Sequence, residues 1–158
     1  MEKHILNKMM PFPMFGIETG DGWKPIAQKV VDEIIKCNKN LPDDSRIYIN
    51  QVKEKFGELC IYVSYDNVPK ETIDYIDKLI QYAHLEAANT CEICGAKENV
   101  GFRTNGWYTV MCEDCAKKIV NSTTPYGLDY SKTGIKWKRN SDGKTFIITK
   151  EGTKEYGQ

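Results

Sequence analysis

Six cysteines stand in this chain, and four of them form a pattern. Residues 91–115 read C-E-I-C-G-A-K-E-N-V-G-F-R-T-N-G-W-Y-T-V-M-C-E-D-C, two Cys-x-x-Cys pairs with seventeen residues between Cys94 and Cys112. Two thiolates three residues apart reach one metal ion from the same side, and a second pair completes a tetrahedron. The separation lies in the range of a four-cysteine zinc site, against which stand two redox dithiols or a disulfide pair. Cys91, Cys94, Cys112 and Cys115 are therefore the expected ligands of a structural Zn2+. With every position filled by protein sulfur, no place is left for water or substrate. Such a site contributes about 10 kcal/mol or more to folding its segment.

The elements around the cysteines fit a treble-clef-like zinc finger. Gly95 supplies the positive φ of a tight knuckle. Runs at 99–104 and 107–111 read as a hairpin joined at Asn105-Gly106. Glu113 and Asp114 precede Lys117 and Lys118, the charge order a short helix favours. Upstream, Pro25 opens a helix to about Asn38, with Ile26, Val30, Ile34 and Cys37 on one face. Residues 46–53 and 58–65 alternate as paired strands turning at Gly57. A second helix follows Pro69 to about Asn89, its buried stripe set by Ile73, Ile76, Ile80, Ala83 and Ala87. Beyond the finger comes a loop at 121–130, then strands at 135–139 and 145–150. Trp137 and Phe146 are expected to point inward, while the surrounding lysines blunt an exposed edge strand. The expected fold is α+β: a helix–β-hairpin–helix core at 1–89, the zinc finger at 90–120, and a basic C-terminal β-hairpin extension at 121–158.

Catalytic constellations do not stand out. The two histidines, His4 and His84, lie outside the cysteine segment. There is no phosphate-binding glycine loop and no nucleophile elbow. Cys60 reads as a packed thiol. Hydrophobic residues make up 41% of the chain, enough for a core. No apolar run approaches the ~20 residues of a membrane span, and the proline-broken N-terminus does not read as a signal peptide. Free thiols beside a thiolate site fit a reducing compartment, so a cytoplasmic location is expected. Net charge is zero but uneven: residues 1–115 hold 13 basic against 18 acidic side chains, and residues 116–158 hold 9 against 4. That balance argues against a wholly acidic DNA mimic and against a DNA-coating protein. Binding without catalysis is the expectation.

Gly20-Asp21-Gly22-Trp23, the run Gln51-Val52-Lys53-Glu54-Lys55-Phe56-Gly57 with the strand after it, and C-E-I-C-G…G-W…C-E-D-C together resemble small zinc-finger proteins encoded by bacteriophages and prophages. The resemblance covers roughly residues 16–118, and its most specific part is Q-V-K-E-K-F-G. Cys60 departs from the pattern, where a basic residue would stand. The resemblance implies a phage protein acting in a bacterial host cell. The leading expectation is an inhibitor that binds a host defence protein, foremost a Cas9-type CRISPR effector. Asp66, Glu71, Asp74 and Asp77 would complement such an effector's basic channels. The competing expectation is a nucleic-acid-binding accessory protein that uses the finger and Lys136, Lys138 and Arg139. A third is a scaffold or assembly component whose zinc merely holds shape.

Overall fold

The structure, a computed structural model, describes residues 16–122 and 134–157. The expected irregular N-terminal stretch up to residue 15 and most of the loop at 121–130 fall outside them. The described residues form a mixed α+β structure with three helices and two sheets. It divides into two compact units. One comprises Lys24–Lys55 and Leu59–Glu86 with the short strand before them; the other comprises Gly20–Trp23, Phe56–Glu58 and the chain from Ala87 onward. Among the described residues, no helix is long and apolar enough to cross a membrane.

The first unit holds a three-stranded sheet in the order β1-β2-β3, from β1 (Ile17–Glu18), β2 (Arg46–Lys55) and β3 (Glu58–Asp66). β1 lies parallel to β2, pairing Ile17 with Val52. β2 turns into β3 through Phe56 and Gly57, both left-handed at φ 52° and 80°. Two consecutive left-handed residues twist a two-residue turn in the sense paired strands require. Helix α1 (Lys24–Asn40) buries Ile26, Ala27, Val30, Val31 and Ile34. The last position of the expected face differs: Asn38 is fully buried and Cys37 half-buried. Asn38 earns its place by acting as a stand-in strand for the start of β2. Its amide nitrogen donates to the Ile47 carbonyl (3.0 Å), and its oxygen accepts from the Ile47 N–H (2.9 Å). A buried polar side chain is tolerated when both of its ends are bonded. Helix α2 (Lys70–Ala88) buries Ile76, Ala83 and Ala87 from the expected stripe, while Ile73 and Ile80 are half-buried.

The second unit is built on a five-stranded sheet in the order β5-β4-β6-β7-β8. Its members are β4 (Val100–Arg103), β5 (Thr109–Cys112), β6 (Ile135–Arg139), β7 (Thr145–Thr149) and β8 (Gly152–Glu155), with helix α3 (Glu113–Val120) after β5. All the described pairings are antiparallel. The C-terminal hairpin thus adds its strands to the finger's own sheet, through β6 beside β4. This corrects the expectation of an edge strand, because β6 has a neighbour on each side and β5 and β8 form the edges. Trp137 points inward as expected and is 1% exposed, in a core with Met111, Ala116, Val120, Ile135 and Ile148, against which Phe146 packs. Its indole N–H donates to the Met111 carbonyl (2.9 Å). Glycine is required at Gly101, where a Cβ would stand 2.2 Å from the Trp137 ring.

The finger hairpin is wider than Asn105-Gly106 implies. Arg103 pairs with Thr109, leaving five residues in the loop. Asn105 works across strands instead, accepting from Lys136 N–H (2.8 Å) and donating to the Gly134 carbonyl (3.2 Å). Tertiary hydrogen bonds have overridden a local turn preference.

Candidate metal centre

Two local structures bring the four cysteines together. Residues 91–95 form the first knuckle. Gly95 N–H bonds back to the Cys91 carbonyl (2.9 Å) with Gly95 at φ 83°, and Cys91 N–H bonds to the Ala96 carbonyl (2.8 Å). Glu92 N–H donates to the Val110 carbonyl (3.0 Å), tying the knuckle to the chain entering Cys112. The second pair sits at a strand-to-helix junction. Cys112 ends β5 and caps α3 in extended conformation, its Sγ accepting the Cys115 N–H at 3.4 Å. Glu113 and Asp114 occupy the first turn of α3, and Glu113 bridges to Lys117 (3.2 Å). Knuckle, hairpin and helix follow one another in treble-clef order.

The four sulfurs lie within 4.8 Å of one another. Cys94 Sγ and Cys112 Sγ are 3.7 Å apart. A tetrahedron with ~2.3 Å metal–sulfur bonds has edges of about 3.8 Å. A disulfide would need about 2.05 Å, and the spacing observed suits ligands around a common ion. Cys91, Cys112 and Cys115 are buried, and Cys94 is exposed. A hydrogen bond from the Ala96 backbone holds the Cys94 thiol below its usual range. Burial pushes the Cys112 thiol up. Cys115 is also pushed up, first by burial and then by hydrogen bonds to its neighbouring thiols. Low polarity and like charges oppose ionising such a cluster, and a bound cation reverses that balance. These residues can supply four sulfur ligands to one metal ion.

A feature without metal-ligand chemistry supports the knuckle. Gly22 N–H donates to the Glu92 carbonyl (2.7 Å), and Gly20 N–H to the Glu92 carboxylate (2.9 Å). Trp23 is fully buried, and its indole donates to the Thr90 carbonyl (2.8 Å). A Cβ on Gly22 would stand 2.1 Å from the Cys91 carbonyl oxygen and 2.5 Å from Gly95 N. Gly-Asp-Gly-Trp is therefore a backbone clamp on the cysteine knuckle. Nothing local in the sequence reveals what a glycine approaches some seventy residues away.

The other candidate residues are not members of the cysteine cluster. Asp66 ends β3, and Glu71, Asp74 and Asp77 are exposed on α2. Asp77 accepts the Tyr65 hydroxyl (2.7 Å), and burial first, then this bond, raises the Tyr65 phenol. Lys136 and Lys138 are on β6, and Lys136 Nζ stands 4.2 Å over the Tyr156 ring. Arg139 is engaged internally: its Nε donates to Asp142 (3.0 Å), and its guanidinium lies 4.7 Å over Phe146. His84 Nδ1 faces the Leu59 carbonyl (3.1 Å), which can only accept, so that nitrogen carries the proton. Cys60 is half-buried on β3.

Compared with family models, curated proteins and solved structures, the chain matches none. The likeness to phage zinc-finger proteins rests on the quoted motifs alone.

Proposed function

We propose that this is a non-enzymatic binding protein of phage origin, whose metal is a structural zinc and whose activity is to dock on a host protein. Four thiolates at tetrahedral spacing favour zinc over the harder cations, and a closed sulfur shell suits stability rather than catalysis. In this reading Cys91, Cys94, Cys112 and Cys115 hold the ion, and the protein acts in the bacterial cytoplasm.

The observation that carries docking is a stripe along α2. Glu71, Tyr75, Lys78, Tyr82 and Leu85 follow one another at four- and three-residue steps, placing them on one side of the helix. Tyr82 is 66% exposed and Leu85 60% exposed, and Glu71 and Asp74 are exposed toward the N-terminal end of the same helix. Tyr82 also borders an open groove of about 520 Å³ between α1 and α2, with Ile26, Val30, Leu79 and Glu86. Large exposed side chains on a helix that also carries exposed carboxylates suit a partner with a basic, partly apolar surface, since aromatic anchors dominate interfaces and opposite charge speeds encounter. A Cas9-type CRISPR effector has such channels and is the first partner to test, with inhibition of cleavage as the activity.

The test is capture from host lysate by tagged protein, with and without nuclease, at low and moderate salt. A stoichiometric protein band that survives both treatments, and that Tyr82→Ala with Leu85→Ala abolishes, is the expected result. Capture that disappears with nuclease, or an empty lane throughout, would reject docking on a host protein.

A further inference from the structure

Register divides the side chains of the five-stranded sheet between two faces, since residues directly opposite one another share a face and successive residues alternate. One face packs toward α3. It carries Trp137 opposite Arg103 and Phe146, Ile135 opposite Ile148, and Glu155 opposite Phe146. Thr153, on the same face, donates to the Glu113 carboxylate on α3 (3.3 Å). Arg139 belongs to this side, with Glu113 and Glu155 near enough to influence it.

The other face has different chemistry. Lys136 stands opposite Ile147, which stands opposite Lys154; in the next row Phe102 stands opposite Lys138, which stands opposite Thr145. Tyr156 extends that second row, its N–H donating to the Thr145 carbonyl (2.8 Å). Among the described residues, the charged side chains on this face are all lysines. Lys138 and Lys154 are exposed, and Lys136 is half-exposed. Aromatic rings flank the lysines. Tyr156 is 57% exposed beyond β8, and Tyr108 is 44% exposed and stacked on Phe102, with centroids 5.8 Å apart. Sequence reasoning grouped Lys136, Lys138 and Arg139 and passed over Lys154. Pairing sends Arg139 to the far face and brings Lys154 in.

We propose that this face of the sheet binds single-stranded nucleic acid, with Lys136, Lys138 and Lys154 contacting phosphates and Tyr108 and Tyr156 stacking bases. Charge complementarity selects a polyanion, and the flanking rings select one with accessible base faces, which a duplex withholds. The distance from β4 to β8 is three strand spacings, about 14 Å, matching a run of about four stacked nucleotides. This site is in the second unit and independent of the α2 stripe, so either proposal stands or falls without the other.

The experiment is fluorescence anisotropy of a labelled twelve-residue oligothymidylate with the full metal-loaded chain. Three phosphate contacts predict a salt slope of about −2, a loss of about 20-fold in affinity between 50 and 200 mM salt. Lys138→Gln or Lys154→Gln should lower the slope by about 0.7 each. Tyr156→Ala should weaken binding about fivefold or more. Arg139→Gln, on the opposite face, should leave the slope unchanged, with a cooperative thermal transition confirming that each variant is folded. Absence of binding at 50 mM salt would overturn the proposal. So would tighter binding of the corresponding duplex, equal competition by an acidic peptide of matched charge, or a slope that responds to Arg139→Gln but not to the lysine variants.

Discussion

Gly22→Ala probes the clamp on the cysteine knuckle through a single added carbon. The new Cβ would meet the Cys91 carbonyl oxygen at 2.1 Å, Gly95 N at 2.5 Å and the Glu92 carbonyl carbon at 2.8 Å. These are backbone atoms that cannot rotate away. Gly22 does not adopt a left-handed φ, so the penalty comes from contact alone. To restore ordinary separation, one strand of chain must retreat by about 1 Å, which also breaks the 2.7 Å bond from Gly22 N–H to Glu92. Overpacking costs about 1–3 kcal/mol and the lost hydrogen bond about 1 kcal/mol, together about 2–4 kcal/mol. For a chain of this size that is a fall of about 5–15 °C in the melting temperature. The displaced atoms belong to the turn that presents Cys94, so metal should also escape faster. Differential scanning calorimetry and the rate of metal transfer to a chromogenic chelator are the assays. A variant that melts within 1 °C of the parent and releases metal at the same rate would refute the clamp.

Asn38→Ala removes both hydrogen bonds to Ile47 and strands a buried backbone pair, so urea denaturation should show a loss of about 2–4 kcal/mol. Trp137→Phe leaves the Met111 carbonyl without its indole donor and opens a cavity where the larger ring stood, a cost of about 2–4 kcal/mol by the same measurement. Asp142 is held down to about 2, first by its hydrogen bonds from Arg139. A depressed carboxylate stabilises the fold above its ordinary range near 4, and that contribution disappears as pH falls through about 2. NMR titration should place the Asp142 midpoint near 2, and Arg139→Gln should return it toward 4.

What the sequence disclosed follows the range of the forces involved. Cys91, Cys94, Cys112 and Cys115 were legible as a group that could hold a metal because ligation demands close spacing within a turn, and spacing is written in the chain. The faces of α1 and of β3 were legible for the same reason, since Ile26, Val30 and Ile34, or Leu59 and Ile61, repeat with the period of their element. Features that depend on a distant partner were not. Asn38 looks like the polar end of a helix until β2 supplies the Ile47 backbone. Asn105-Gly106 looks like a tight turn until β6 draws the Asn105 side chain into its own ladder. β8 is four residues long, Gly-Thr-Lys-Glu, with too few apolar side chains to signal a strand, and exists because β7 offers it an edge. Lys154 could be assigned to a face only once that pairing was known.

The most direct test of the account is to purify the protein without added metal, determine its metal content, and record X-ray absorption at the metal edge. One zinc per chain surrounded by four sulfurs at about 2.3 Å, with cooperative unfolding that collapses on chelation, is the predicted result. A metal-free protein with the same melting temperature, or a shell containing water or nitrogen in place of one sulfur, would contradict it.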